Sequence, residues 1–197
     1  MTEPDVILYT AQQPVVLEAL ERDGRSVVRR EYIDRKYGDS SWVFQEAYSF
    51  FRQNAAALLP KPEDAESPVW LYRDSRWCFM TPDAVLMSFR IPREQVIFFD
   101  HRVWNRILNL EYLGKDEKDE ERFEKELKNI GLSGTHKLFS TSFYPMQRRK
   151  VRDSWNSLFR SAEGCPDTYQ QAAVWELRKE WLFDVKNAGE GRTGEDE

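Results

Sequence analysis

Only two cysteines, Cys78 and Cys165, and two histidines, His101 and His136, occur in 197 residues. None stands in the Cys-x-x-Cys or His-x-x-x-His spacing that sets metal-ligand geometry, so the expectation is no metal and two idle thiols in a reducing cytoplasm. Long hydrophobic runs are also missing. No stretch approaches the roughly 20 apolar residues that span a bilayer, and the opening "MTEPDVILYT" carries two acids before a very short apolar run, the wrong pattern for a secretion signal. These absences predict a cytoplasmic protein with no membrane partner. Nor is there an excess of positive charge. The 29 basic and 34 acidic residues leave a net charge of −5, without the global field of non-specific nucleic-acid binding, so any polyanion site must be local. From Asn187 the stretch "NAGEGRTGEDE" lacks any hydrophobic residue larger than alanine. Such a segment cannot offset its ordering entropy and is expected to be a flexible acidic tail over 187–197, following one globular domain over 1–186.

What the chain does have is apolar and aromatic mass, 41% and 14% of its residues, enough for one sizeable core. "DVILY" reads as a buried strand. "PVVLEALERDG" reads as a helix, with Pro14 in its first turn, Val16, Leu17 and Leu20 at helical spacing and Gly24 as carboxyl-terminal cap. "RSVVRREYI" reads as a second strand or an extended connection, bounded by "DRKYGDSS". A long core helix is predicted from Ser41, its cap, to Leu59, with Val43, Phe44, Ala47, Tyr48, Phe51, Ala55 and Leu58 as its stripe and Pro60 ending it.

"VWLYRD" predicts a strand. "VLMSFRIPREQVIFFD" predicts two extended stretches broken at Pro92, and "AAVWELRKEWLFDV" repeats that design with a charged turn. Between them lie three helices. One is capped by Asp100, with Val103, Trp104, Ile107 and Leu108 on one face. A charged one carries the stripe Phe123, Leu127 and Ile130, and the last starts at Pro145 with Val151, Trp155 and Leu158 inward. The predicted fold is a single α+β domain with mixed or mostly antiparallel bent strands and about five helices.

Glu176 is the residue in "QQAAVWELRKE" that invites a chemical role. With simple alternation Ala172, Val174 and Glu176 share one face, opposite Ala173, Trp175 and Leu177. The carboxylate then either pairs with Arg178 or Lys179 or faces a cleft. In "QRRKVR", Arg148, Arg149 and Arg152 are either a solvated helix face or a phosphate-binding fork. His101, at a helix start, is expected to be neutral and structural.

In "SPVWLYRD", "VLMSFRIPREQVIFFDHRVWNRILN" and "QQAAVWEL" the chain resembles an uncharacterised bacterial family, domain-of-unknown-function family 3841, from about Val6 to about Val185. A second, partial resemblance is to the ADP-ribosyltransferase superfamily. "ILYTAQQPVVLEALERDG" is similar to its opening Leu-Tyr strand, helix and glycine, and "LFSTSFYP" is similar to the Ser-Thr-Ser strand of its arginine-dependent branch. Glu176 follows 34 positions after Ser142.

That resemblance implies NAD bound as substrate in a cleft between two small sheets, with Tyr9 and Thr10 on the first strand, Ser140, Thr141 and Ser142 shaping the pocket, and Glu176 orienting the nicotinamide ribose. The chain departs from the superfamily in lacking an arginine or histidine in its first strand and in placing Val174 two positions before the glutamate. A non-enzymatic binding module for a protein or nucleic-acid partner is the alternative.

Overall fold

The structure is a computed structural model describing residues 4–29 and 41–187, with side chains from residue 44 onward in the helix that begins at Ser41. The segment "DRKYGDSS" and the predicted tail beyond Asn187 lie outside or almost wholly outside these residues, as does the predicted capping side chain of Ser41.

The strands are β1 (Val6–Gln12), β2 (Arg25–Val27), β3 (Val69–Tyr72), β4 (Val85–Ile91), β5 (Ile97–Asp100), β6 (Gln170–Val174), β7 (Glu176–Arg178) and β8 (Leu182–Asn187). The helices are α1 (Pro14–Asp23), α2 (Ser41–Leu58), α3 (His101–Leu108), α4 (Glu117–Asn129), α5 (His136–Ser140) and α6 (Pro145–Ser154). Together they make one α+β domain. Six strands form a sheet in the order β5-β6-β3-β1-β4-β8, and β2 and β7 form a separate two-stranded ribbon. All these pairings are antiparallel.

Pairing across the sheet is uneven. Strands β1 and β4 match over seven residues and β3 and β6 over four, but β1 and β3 meet at one pair, Tyr9 opposite Tyr72. The sheet therefore divides into two three-stranded halves, β5-β6-β3 and β1-β4-β8, joined at Tyr9.

The alternation of side chains sends the two faces to two cores. One face carries Leu8, Leu71, Met87, Phe89, Phe98, Ala172 and Val174, which pack with Leu20 of α1. The other carries Trp70, Phe99 and Ala173, which pack under α2 and α3 against Phe51 and Trp104. The aromatic contacts are dense there: Phe51 meets Trp70 at 4.9 Å and Phe99 at 5.5 Å between ring centroids. No residue of β1, β4 or β8 belongs to this helix-side core among the described residues.

The helix predictions hold in type and differ at their ends. Gly24 closes α1 at φ 74°, a left-handed conformation that glycine adopts without strain, and its N–H bonds the Leu20 carbonyl. In α2 the inward position is Leu59 rather than Leu58, which is 58% exposed. The Leu59 N–H bonds the Ala55 carbonyl, and its own carbonyl accepts from the Trp175 indole at 2.9 Å, so the last turn is drawn in at that residue.

After α4, Ile130 points outward. Gly131 turns the chain at φ 77°, and the Leu132 N–H returns to the Leu127 carbonyl, putting Leu132 in the core instead. Residues Leu138 to Ser140 belong to the short helix α5, and Ser142 lies in the turn after it. The Ser-Thr-Ser strand implied by the resemblance is absent. The stretch is closed locally, where the Thr141 hydroxyl donates to the Lys137 carbonyl at 3.2 Å.

Candidate functional site

Register places a line of polar side chains across the split. Phe99 of β5 lies opposite Gln171 of β6, Gln171 opposite Tyr72, Tyr72 opposite Tyr9, Tyr9 opposite Ser88 and Ser88 opposite Asp184. Laterally paired residues share a face, so Gln171, Tyr72, Tyr9, Ser88 and Asp184 all stand on the helix side. The helix layer covers that face over β5-β6-β3 and contributes no core contact over β1-β4-β8 among the described residues. Among the described residues the edge of that layer and the half-sheet it does not cover form a step, with the joint at Tyr9 and Tyr72 along its base.

Two members of this row combine burial with unused hydrogen-bonding capacity. Gln171 and Ser88 are each 4% exposed, and neither side chain hydrogen-bonds to the described residues. Buried amides and hydroxyls are ordinarily satisfied. A ligand hydroxyl or phosphate oxygen seated on the step would meet a carboxamide and a hydroxyl with hydrogen-bonding capacity to spare. Tyr9, half-buried between them, adds a phenol.

The remaining sequence-derived candidates fall elsewhere. Thr10 points to the opposite face, 3% exposed, and accepts from the Gln12 amide at 2.8 Å. Ser140, Thr141 and Ser142 lie outside the sheet. Arg149 pairs with Asp153 at 3.6 Å, Arg152 pairs with Glu46 of α2, and Arg148 stands beside them on α6.

The strand through Glu176 bends at Trp175, which breaks the simple alternation. Trp175 joins the helix-side core and Leu177 the opposite one with Ala172 and Val174. Glu176 thus leaves the face assigned to it and turns toward the β2–β7 ribbon. Its Oε2 receives Arg25 Nε at 2.9 Å, and its Oε1 receives Arg178 Nε and Nη2 at 2.7 Å. Arg25 also pairs with Asp64 at 2.9 Å. Both oxygens of Glu176 are occupied in fastening the ribbon.

A second polar cluster closes the β5–β6 end of the sheet. Asp100 caps α3, accepting from the Arg102 backbone N–H at 2.8 Å and from its guanidinium at 2.6 Å. Burial opposes its charge, yet these bonds from Arg102 hold its pKa below the usual carboxylate range. His101 Nδ1 lies 3.0 Å from the Tyr169 carbonyl, which requires a proton on that nitrogen, and its ring packs on Trp77 at 4.3 Å. This histidine is fixed in place by its neighbours.

A carboxylate whose folded pKa is lowered stabilises the fold above its unfolded value near 4 and loses that contribution as pH falls through the folded pKa. Urea midpoints should therefore fall between pH 5 and 3 in the wild type, and fall less steeply in Asp100→Asn, whose amide oxygen keeps the cap. An equal slope in both proteins would contradict this role.

Cys78 is buried, and burial pushes its thiol pKa up to about 12, so it is not a nucleophile at neutral pH. Among the described residues, no three histidine, cysteine, aspartate or glutamate side chains gather as a metal site would need. No described helix is long and apolar enough to cross a membrane.

Fold and site together define an α+β domain built on a divided antiparallel sheet, with a polar step at the division. The family described as Domain of unknown function (DUF3841) matches residues 7–183, and the chain belongs to it. No curated protein and no solved structure matches the chain significantly.

Sequence patterning points to Tyr9 and not to Gln171, Tyr72 and Ser88. Ser88 nevertheless alternates with Met87 and Phe89, which face the other core, whereas Gln171 and Tyr72 each have one such neighbour, Ala172 and Leu71, and one polar neighbour, Gln170 and Arg73. What the sequence does not carry is the strand order that sets them side by side.

Proposed function

We propose that the chain binds NAD on the step between the two half-sheets and transfers its ADP-ribosyl group, the reading implied by the resemblance of its opening strand and helix to ADP-ribosyltransferases. What supports it is the single Tyr9–Tyr72 pair between β1 and β3, which leaves two half-sheets of one sheet with polar side chains along their joint. In this reading the Gln171 carboxamide oxygen accepts a hydrogen bond from a hydroxyl of the nicotinamide ribose. As the C1′–N bond breaks, nicotinamide leaves and a nucleophilic oxygen or nitrogen of the acceptor bonds to C1′ and gives up its proton; that dipole faces the positive charge developing on the ribose. The assignment moves from Glu176 to Gln171 because both Glu176 oxygens are already bound by arginines.

A ligand bound only by the native state raises stability by mass action, about 2.7 kcal/mol at a hundredfold excess over Kd. The wild-type melting temperature should rise saturably with NAD, by several degrees for a domain of this size. Gln171→Ala should melt near the wild-type value without NAD and lose the shift with it. No shift in the wild type would overturn the proposal.

The binding-module reading draws on Phe143 and Met146, which are 82% and 68% exposed at the start of α6. It predicts a partner-dependent change in mass and no response to NAD.

A further inference from the structure

Arg90 lies two residues beyond Ser88 on β4, on the same face, laterally opposite Ile7 of β1. It is exposed, and its guanidinium stands over the Phe183 ring of β8, 5.6 Å from the centroid. Among the described residues no carboxylate neutralises it. This sets it apart from Arg25, Arg102, Arg149, Arg152 and Arg178, each of which has an acid partner. The acid nearest in the row, Asp184, is held by Lys186 at 3.8 Å.

Here a charged fork, pinned by an aromatic ring and without a counterion among the described residues, stands beside a buried hydroxyl that also lacks a partner among them. Arginine forks match the oxygens of phosphate, and a ring beneath the guanidinium fixes its plane without using its donors.

We infer that Arg90, with Ser88 behind it, is the subsite for the diphosphate of a dinucleotide whose ribose end reaches Gln171; the identity of the dinucleotide rests on the NAD reading of the step. The spacing is suitable. Gln171 and Ser88 are three strand intervals apart, roughly 14 Å at about 4.8 Å each, a span that an extended dinucleotide covers from its nicotinamide ribose to its phosphates with the arginine stem reaching inward. The ligand would lie across the joint, one end on each half-sheet.

The test compares wild type with Arg90→Ala by calorimetric titration against NAD, ADP and nicotinamide riboside, which lacks the diphosphate. If the subsite is correct, Arg90→Ala binds NAD and ADP roughly tenfold or more weakly, as expected for loss of a charge-assisted contact, and binds the riboside as the wild type does. Arg90→Lys should recover part of that loss.

If wild type and Arg90→Ala bind NAD equally, the subsite is wrong and the NAD reading survives. If ADP binds through Arg90 while NAD does not bind, the subsite stands and the dinucleotide reading fails. If none of the ligands binds the wild type, both fail. Arg90 is exposed and outside both cores, so the substitution should leave the melting temperature without ligand unchanged.

Discussion

Trp155→Ala is expected to cost about 3–5 kcal/mol of folding stability, the range for removing a fully buried tryptophan. Trp155 is wholly inaccessible to solvent. Its ring stacks on Phe139 with centroids 5.6 Å apart and planes 6° from parallel, and it meets Phe50 edge-on at 5.3 Å. Its indole N–H donates to the Glu111 carbonyl at 2.8 Å. One side chain therefore ties α5, α2 and the loop after α3 together just past the end of α6. Alanine would leave a cavity and remove the indole donor from the Glu111 carbonyl.

Since domains of this kind are stable by only about 5–15 kcal/mol, such a loss should appear as a large drop in urea midpoint or as failure to accumulate. Trp155→Phe keeps a ring and loses the N–H, so it should cost clearly less. A cost below about 1 kcal/mol for the alanine variant would contradict this packing.

Glu176→Gln separates a structural role from a chemical one. The Glu176 side chain is 11% exposed, while Arg25 and Arg178 are 42% and 45% exposed, so water screens the pairs and limits what they contribute. The amide keeps one acceptor oxygen and should cost about 1 kcal/mol. Glu176→Ala removes both acceptors, leaves two arginines facing each other across the ribbon, and should cost about twice as much. Thermal unfolding of the two variants checks the order. With the carboxylate confined to fastening the ribbon, the folded Glu176→Gln protein retains its full response to NAD. Loss of that response in a protein that still melts cooperatively would restore Glu176 to the chemistry.

The elements are legible in the sequence because they follow local rules. Proline at the start of α1 and α6, Gly24 after α1, Asp100 before α3 and the alternation of β4 are read from neighbours within a few residues. The candidate site is legible only in part. Tyr9 stands out through the character of its strand, whereas Gln171 and Ser88 acquire meaning from partners some eighty to a hundred residues away, through a strand order that periodicity does not encode. Glu176 takes a face that simple alternation does not give, for a related reason. The bend at Trp175 ends strict alternation between β6 and β7, and a one-residue shift moves every following side chain to the other face. The Ser-Thr-Ser stretch matches a strand motif in residue identity alone, and the surrounding chain makes it a short helix and its exit turn.

Nicotinamide release from NAD by the wild type, Gln171→Ala and Glu176→Gln, assayed side by side on proteins shown to be folded, is the direct test of the claim that Gln171 orients the ribose. Release is predicted for the wild type and for Glu176→Gln, with its loss in Gln171→Ala. Undiminished release by Gln171→Ala, or release lost in Glu176→Gln alone, would contradict that claim and take the chemistry away from the joint between the two half-sheets.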